Sequence, residues 1–213
     1  APTFGELYEI NNIAFVGNPD LNPETIDTFE IAINHRERLH TRVNIFYYQA
    51  KDLIDYVYDP LTSKSYAKNV KDQTGYGTEL ELEYGLSNSV SVRGNYSYQH
   101  SEDSDTKERV ANAPVHQAFA QIQYRPSVDW NTNVQYFYIG KRYRESTDTR
   151  APVDADSLVN LTIERTDIFE GLDALVSARN LFDTDYREPS SISIPNDYPM
   201  QGLSLFAELR YRF

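Results

Sequence analysis

The amino-acid sequence predicts an all-β protein: an antiparallel transmembrane β-barrel segment of about nine to ten strands, with short periplasmic turns and long extracellular loops. Three observations predict this fold. Residues 203–213 alternate between two kinds of side chain and end on Phe213, an ending typical of outer-membrane barrels. The same alternation recurs along the chain, as expected for strands with one lipid-facing side. The connections between these stretches are short and long in turn.

The composition fits a barrel and excludes several other classes of protein. The 213 residues include 17 Tyr and 10 Phe, which suit a lipid boundary, and no Cys, so disulfides and thiol chemistry are excluded. The mean hydropathy is -0.60, and no stretch approaches the roughly 18 apolar residues that a membrane-spanning helix needs. The net charge of -12 argues against a nucleic-acid partner.

The first four strands are predicted from alternation that begins near residue 24. Each has an apolar set on one side and a polar or mixed set on the other. Their apolar sets are Phe29, Ile31 and Ile33; Val43, Ile45 and Tyr47; Leu80, Leu82 and Tyr84; and Val90, Val92, Tyr96 and Tyr98. We therefore expect strands at about residues 24–35, 39–49, 77–84 and 90–98.

The remaining strands follow an acidic stretch at residues 101–113. The same period of two predicts five more strands, at about residues 116–124, 132–143, 157–165, 172–180 and 202–213. Helix has little support, because the long stretch 180–200 contains three prolines and many Ser, Asp and Asn residues. We expect that stretch to be a surface loop.

The connections fix the orientation of the predicted barrel. Short ones lie near residues 36–38, 85–88, 125–131 and 166–171, and long ones near 50–72, 101–114, 144–156 and 181–201. Outer-membrane barrels have short periplasmic turns and long extracellular loops. Counting backwards from a periplasmic Phe213 places every long connection outside, whereas a soluble β-sandwich has no reason to gather its long loops at one end.

The polar set of each strand is expected to face the barrel lumen, because charged residues facing lipid would be costly. The charged members of this lumen wall are Glu79, Glu81, Glu83, Arg93, Glu164, Arg179, Glu208 and Arg210. They would form either a solvated channel wall or a surface that pairs with a group inserted in the lumen.

No catalytic, cofactor or metal site is predicted. The four histidines have no ligand spacing, although His100 and His116 bracket one predicted loop and could cooperate across it. The acidic run at residues 102–105 lacks the glycine and terminal glutamate of a calcium loop. Neither G-x-S-x-G nor H-E-x-x-H occurs, so an enzyme is not expected.

Several short motifs, taken in order, resemble TonB-dependent outer-membrane receptors. The chain opens with Ala1-Pro2, followed by a loop and by NPDLNPE at residues 18–24; GTELE at 77–81, NLFD at 180–183 and YR at 186–187 come later. Each motif is weak singly, but together they cover essentially the whole chain. The resemblance implies a receptor in the outer membrane of a Gram-negative bacterium, embedded in the lipid bilayer.

The resemblance also implies that residues 1–213 are a single C-terminal portion of a 22-stranded barrel. The plug domain and the TonB box would be absent, and the TonB-ExbB-ExbD complex would act through that missing plug. The remaining N-terminal barrel and plug would then be partners of this chain. The alternatives are a self-contained ten-stranded barrel that uses residues 5–16 as an extra strand, as a surface hydrolase or porin-like protein, and a soluble β-rich binding module.

The resemblance favours a ferric siderophore or another small iron chelate as ligand. Haem is less favoured because residues 3–17 contain no histidine, and one Met without Cys disfavours a soft copper site. Cobalamin and oligosaccharide stay open. The expected contact residues are tyrosines of the extracellular loops, which could otherwise belong to the aromatic girdle of the membrane interface: Tyr56, Tyr58, Tyr66, Tyr76, Tyr143, Tyr186 and Tyr198.

Overall fold

The computed structural model describes residues 1–213, and almost all of its regular structure is strand. One short helix, α1, spans Phe4–Tyr8. The strands are β1 (Phe15–Val16), β2 (Thr25–Arg36), β3 (Leu39–Asp59), β4 (Lys64–Gly85), β5 (Val90–Asp103), β6 (His116–Ser127), β7 (Trp130–Ile139), β8 (Asp156–Phe169), β9 (Leu172–Arg179), β10 (Arg187–Glu188), β11 (Tyr198–Pro199) and β12 (Ser204–Tyr211). The chain has no helix with the length and apolar character required to span a bilayer.

Nine long strands form one sheet in the order β12-β9-β8-β7-β6-β5-β4-β3-β2. Neighbours in this order are antiparallel meander partners, as shown by the pairing register from β5 to β12 and by the turns of a few residues that join β2 to β3, β3 to β4 and β4 to β5. This confirms the predicted all-β fold and the predicted number of strands. The strands β2 and β12 are the two ends of the sheet, so the sheet is not closed.

The register confirms that the two faces of the sheet differ in polarity. Directly paired residues of an antiparallel sheet share a face. One row crosses six strands with apolar residues alone: Val92, Ile122, Val134, Leu161, Ala178 and Leu205. The adjacent row on the opposite face is polar and contains Arg93, Gln121, Gln135 and Asn160.

The sheet has no layer packed against its apolar face. No large side chain is fully buried, and outward residues such as Phe29 and Leu205 are 71% and 74% exposed. Soluble domains cover such a face with a second layer, because extended apolar patches on a soluble protein promote association. The apolar face therefore suits contact with lipid, which argues against the soluble binding module.

The predicted long loop at residues 50–72 is wrong. Strands β3 and β4 continue through it for 21 and 22 residues, about twice the 9–11 residues that a tilted strand needs to cross a bilayer. Only residues 60–63 form the turn. Lysine and aspartate in this stretch indicated a loop, but a strand that projects beyond the membrane can carry charge on both faces. Asp52, with φ of 58°, interrupts the alternation.

Three smaller expectations also need correction. A helix is present, since α1 begins with a capping box in which Thr3 and Glu6 bond reciprocally. Residues 5–16 do not supply an extra barrel strand: only Phe15 and Val16 are extended, and they pair in parallel with Ser65 and Tyr66 of β4. The ten-stranded barrel built on that segment is therefore wrong. The sixth predicted strand, at about residues 132–143, also ends earlier, at Ile139.

The chain divides into two compact units by its internal contacts. The first unit contains Ala1–Glu30, Phe46–Tyr76 and His100–Val110. The second unit contains Ile31–Ile45, Gly77–Gln99 and Ala111–Phe213. The first unit includes the projecting parts of β3 and β4, and the second unit includes β6 to β12.

Candidate functional site

Four of the seven predicted ligand-binding tyrosines lie in the first unit, on the projecting parts of β3 and β4. Tyr56 packs its ring edge against Phe15, with ring centroids 5.1 Å apart. Tyr58 is 61% exposed, and Tyr66 pairs in register with Val16. Tyr76 lies 5.3 Å from the His100 ring. Tyr58 therefore offers the most accessible ring of this group, while Tyr56 and Tyr66 also hold the N-terminal segment against the strands.

The N-terminal segment lies against this hairpin through polar contacts. Asn18 Nδ2 donates to the Ala67 carbonyl at 3.3 Å, and Asn69 and Asn22 exchange two hydrogen bonds. Glu24 Oε1 accepts from the Ile54 amide at 2.9 Å. The residues 18–24 that resemble a receptor motif thus anchor the segment to the strands.

The other three predicted tyrosines lie in the loops of the second unit. Tyr198 pairs with Glu188 in the small β10–β11 ladder. The Tyr186 carbonyl accepts from the Met200 amide at 3.1 Å, and the Tyr143 carbonyl accepts from the Asn112 amide at 2.7 Å. Tyr143 and Tyr198 are 38% and 47% exposed, so their rings are accessible while their backbones are fixed.

An arginine clamp, formed by Arg142, Arg144 and Arg150, joins the loop before β8 to the loop after β9. Arg142 is 3% exposed and donates to Glu188 and Asp156, both at 2.7 Å. Its guanidinium also donates to the Arg187 carbonyl at 2.9 Å. Charged residues are rarely buried unless they are paired, and each of these bonds meets that condition.

The other two arginines of the clamp hold the same two loops. Arg144 donates a hydrogen bond to Asp197 at 2.6 Å. Arg150 donates several hydrogen bonds to Asp148 and one to the Ile194 carbonyl. The hydrogen bonds from Arg150 lower the pKa of Asp148 to about 2. The hydrogen bond from Arg144 likewise lowers the pKa of Asp197. Sequence reasoning missed this cluster, because partners some 40 to 53 residues apart leave no spacing signal.

The NLFD motif at residues 180–183 organises the start of the second of these loops. Asn180 is 4% exposed with φ of 49°, and its side chain bonds both the amide and the carbonyl of Thr184 at 2.9 Å. Asp183 accepts from the Leu203 amide at 2.8 Å. A Cβ on Gly202 would lie 2.5 Å from the Asp183 carboxylate, so this position favours glycine. The motif therefore holds the two ends of this loop together through side-chain hydrogen bonds.

The predicted lumen wall lies on the polar face of the second unit. Glu79 accepts from Asn44 at 3.4 Å, Glu83 lies 4.0 Å from His40, and Glu164 accepts from Asn131 at 3.4 Å. Glu81 and Glu83 line a concave region of about 670 Å³ together with Arg93. At the sheet end, Arg210 donates to Glu208 at 2.9 Å. Arg179 is exposed and pairs in register with Ser204.

Neutral amides form a large part of this wall, which the prediction from charged residues missed. Gln121 is at the centre: it accepts from Arg93 at 2.8 Å and from Gln135 at 3.1 Å, and it donates to Asn133 at 3.0 Å. Alternation in strands β6 and β7 could have revealed these amides. The Arg93 guanidinium also lies 5.8 Å from the centre of the Phe119 ring.

His100 and His116, which bracket one predicted loop, have separate partners. His100 lies 3.2 Å from Glu102, and both side chains are in the first unit. In the second unit, His116 Nδ1 lies 2.7 Å from the Tyr96 hydroxyl and its ring lies 5.3 Å from that of Tyr98. The structure contains no group of three or more His, Cys, Asp or Glu residues arranged to hold a metal ion.

The sheet with one apolar and one polar face accords with the family that the chain matches. The family model described as "TonB dependent receptor-like, beta-barrel" matches residues 1–181. The chain belongs to this family. Its members are outer-membrane β-barrel proteins, so the resemblance of the short motifs is confirmed. The exposed apolar row and the open ends of this TonB-dependent receptor barrel sheet agree with that membership.

Two curated relatives share 26% identity with this receptor segment. The "Vitamin B12 transporter BtuB" of Photobacterium profundum aligns over 100% of the chain and 34% of its own length. The "Iron-regulated outer membrane virulence protein" of Vibrio cholerae aligns over 66% of the chain and 24% of its own length. The chain thus spans about a third or less of the length of these two relatives, of which the first is named as a transporter and the second as an outer-membrane protein.

Solved structures superpose on nearly the whole segment at low identity. "Copper transporter OprC" gives a TM-score of 0.80 at 17% identity, covering 100% of this chain and 35% of that one. The siderophore receptor PirA from Acinetobacter baumannii gives 0.75 at 19% identity, covering 93% and 33%. At such identities, these structures support the fold of a TonB-dependent receptor barrel.

Proposed function

We propose that this chain is the C-terminal part of the barrel of a TonB-dependent receptor in a Gram-negative outer membrane, and that the whole receptor takes up a ferric siderophore or a similar iron chelate. The observation that carries the proposal is the family match over residues 1–181 of a sheet with one apolar face. Iron is favoured because one relative is iron-regulated and PirA, of the same fold, is a siderophore receptor.

The extracellular loops and the projecting part of β3 would provide the ligand contacts. Exposed rings such as Tyr58, Tyr143 and Tyr198 offer an apolar surface and a hydroxyl that both donates and accepts hydrogen bonds. The arginine clamp would keep two of these loops in one arrangement before the ligand arrives, which lowers the entropic cost of binding. The segment contributes binding and transport, and the proposal assigns it no enzymatic reaction.

The polar face would line the lumen and contact a plug domain supplied by the rest of the receptor. Release of the ligand into the periplasm would require that plug to be remodelled through TonB-ExbB-ExbD. Residues 1–213 would form a single barrel portion without the plug or the TonB box. Strand directions support the need for further strands: the nine-strand meander gives β2 and β12 the same direction, so direct closure would make a parallel pair.

Uptake by the complete receptor tests the proposal. The full reading frame would be expressed in a bacterial strain that lacks its own siderophore receptors, and accumulation of ⁵⁵Fe would be measured with a panel of ferric siderophores. We expect accumulation that requires both the receptor and TonB. Accumulation that persists without TonB would contradict the transport mechanism, and an absence of accumulation with every chelate would contradict the iron assignment.

Cobalamin is the second candidate ligand, because the cobalamin transporter aligns over the whole chain. The same strain, supplied with ⁵⁷Co-labelled cyanocobalamin, distinguishes the two candidates. TonB-dependent uptake of cobalt label without uptake of iron label would replace the iron chelate by cobalamin and leave the receptor assignment intact.

A further inference from the structure

The first unit carries an excess of carboxylates in two acidic segments, residues 1–24 and residues 100–110. Residues 1–24 contain Glu6, Glu9, Asp20 and Glu24 and no lysine or arginine. Residues 100–110 contain four carboxylates and two basic residues, while residues 50–72 contain four of each. Within the last stretch, Lys71 forms a short ion pair with Asp55. These segments therefore present a negative potential to an approaching solute.

The loops of the second unit hold their basic residues in ion pairs. Residues 140–156 and 181–203 contain eight carboxylates and five basic residues. Each basic residue has a carboxylate within 4.0 Å: the pairs are Lys141–Asp154, Arg142–Asp156, Arg144–Asp197, Arg150–Asp148 and Arg187–Asp185. Their positive charge is consequently neutralised within the loops.

In the arginine clamp, burial also keeps the guanidinium groups away from solutes. Arg142 and Arg144 are 3% and 7% exposed at their side chains, so a solute cannot reach either guanidinium without opening the loops. Arg150 is occupied by Asp148 and by two carbonyl oxygens. Anionic ligands are usually recognised by accessible arginines in bidentate geometry, and three of the four arginines of these loops serve internal structure. The fourth, Arg187, has a side chain that is 47% exposed and is paired with Asp185.

The net charge of an iron chelate depends on its donor groups. Three catecholates leave a ferric complex trianionic, whereas three hydroxamates leave it neutral, and an added ammonium group makes it cationic. A charged surface changes association rates of charged ligands by about 10- to 1000-fold at low ionic strength. A trianionic complex would meet repulsion from these segments, a neutral complex would not, and a cationic one would be attracted.

We infer, on the basis of the proposed function, that this receptor selects neutral or cationic iron chelates, such as ferric trihydroxamates, over trianionic tricatecholates. The acidic segments 1–24 and 100–110 set the potential, and every arginine of the second unit's loops is already ion-paired. The inference names the substrate class of the same extracellular surface.

Binding to the purified full-length receptor in detergent tests this inference. Three probes are used: a neutral ferric trihydroxamate, a cationic ferric trihydroxamate with a free amine, and a ferric tricatecholate. Association rates are measured by stopped-flow fluorescence at about 50 mM and 300 mM salt. We expect the tricatecholate to associate at least about tenfold more slowly at low salt, with a smaller difference at high salt because counterions screen the charges.

A charge variant separates electrostatics from shape. The triple variant Asp20→Asn, Asp105→Asn, Glu108→Gln removes three exposed carboxylates of the acidic segments, all outside the arginine clamp. It should accelerate tricatecholate association about threefold or more and leave the neutral complex unchanged. The matched control removes exposed carboxylates from the periplasmic turns, as Glu37→Gln with Glu170→Gln, and should change neither rate.

The outcomes distinguish this inference from the function on which it rests. Tricatecholate binding that equals or exceeds trihydroxamate binding would overturn the charge selection and leave the iron-chelate receptor in place. An unchanged tricatecholate rate in the triple variant would also overturn it. If none of the three iron complexes binds, the iron-chelate function itself fails, and the charge selection fails with it.

Discussion

Replacement of Arg142 by methionine should release the arginine clamp and loosen two loops at once. The methionine keeps an unbranched apolar stem but removes the bonds to Asp156, Glu188 and the Arg187 carbonyl. The Asp156 side chain is 13% exposed and would lose its cationic partner. Breaking a buried ion pair from one side costs about 3–5 kcal/mol, because it leaves a buried charge uncompensated.

Because the clamp joins residues 141–156 to residues 181–201, its loss should lower the free energy of local opening of both segments. At about 1.4 kcal/mol per tenfold change, the expected acceleration of amide exchange is roughly 10²- to 10³-fold or more in both segments. The reciprocal backbone bonds between Arg142 and Val153, each 3.0 Å, are the amides to follow. Hydrogen exchange with mass spectrometry on the full-length receptor in detergent measures this directly.

Lys141→Met is the matched control, because it removes one positive charge from the adjacent residue. Lys141 lies 3.6 Å from Asp154, whose side chain is 90% exposed, and exposed pairs contribute about 0–1 kcal/mol. Glu188→Gln, which removes one of the two carboxylates paired with Arg142, should have an intermediate effect. If exchange in R142M matched that in K141M, or rose in only one of the two segments, the clamp would not couple the loops.

Three further predictions concern the same structure. Because the folded-state pKa values of Asp148 (about 2) and Asp197 lie below the usual 3.8, their stabilisation is complete above about pH 4 and lost as pH falls towards 2; amide exchange in residues 141–156, corrected for the intrinsic exchange rate at each pH, should rise in that window and not between pH 7 and 4. Asn180→Ala should speed exchange in residues 181–203 more than Asn180→Gly, since both lose the bonds to Thr184, at about 1 kcal/mol each, and only alanine opposes the positive φ; equal effects would refute the backbone contribution. Ile122→Lys should destabilise the barrel in lipid by about 2–4 kcal/mol in urea unfolding, while Gln117→Lys, at an exposed position on the polar face of the same strand, should cost clearly less; the reverse order would mean that the faces are assigned incorrectly.

The fold could be predicted largely from period-2 alternation, since each strand carries its own pattern. The apolar row from Val92 to Leu205 follows from such local alternation, and so do the short turns. The projecting parts of β3 and β4 could not be predicted. A strand outside the bilayer needs no apolar face, so residues 50–72 lack the alternating pattern and resemble a polar loop. Candidate tyrosines were found by residue type, and their role as ligand contacts stays a prediction.

The sequence by itself determined the strand class, the two-faced sheet and the family, because alternation and short motifs are local properties of neighbouring residues. Only the tertiary structure decided that Asn180 closes a loop and that Arg142, Arg144 and Arg150 are buried in ion pairs. Their partners lie in another loop, at distances along the chain that no pattern records. The physical reason is that burial of charge depends on which segments meet in space, and this pairing determines whether an arginine recognises a ligand or holds the protein together.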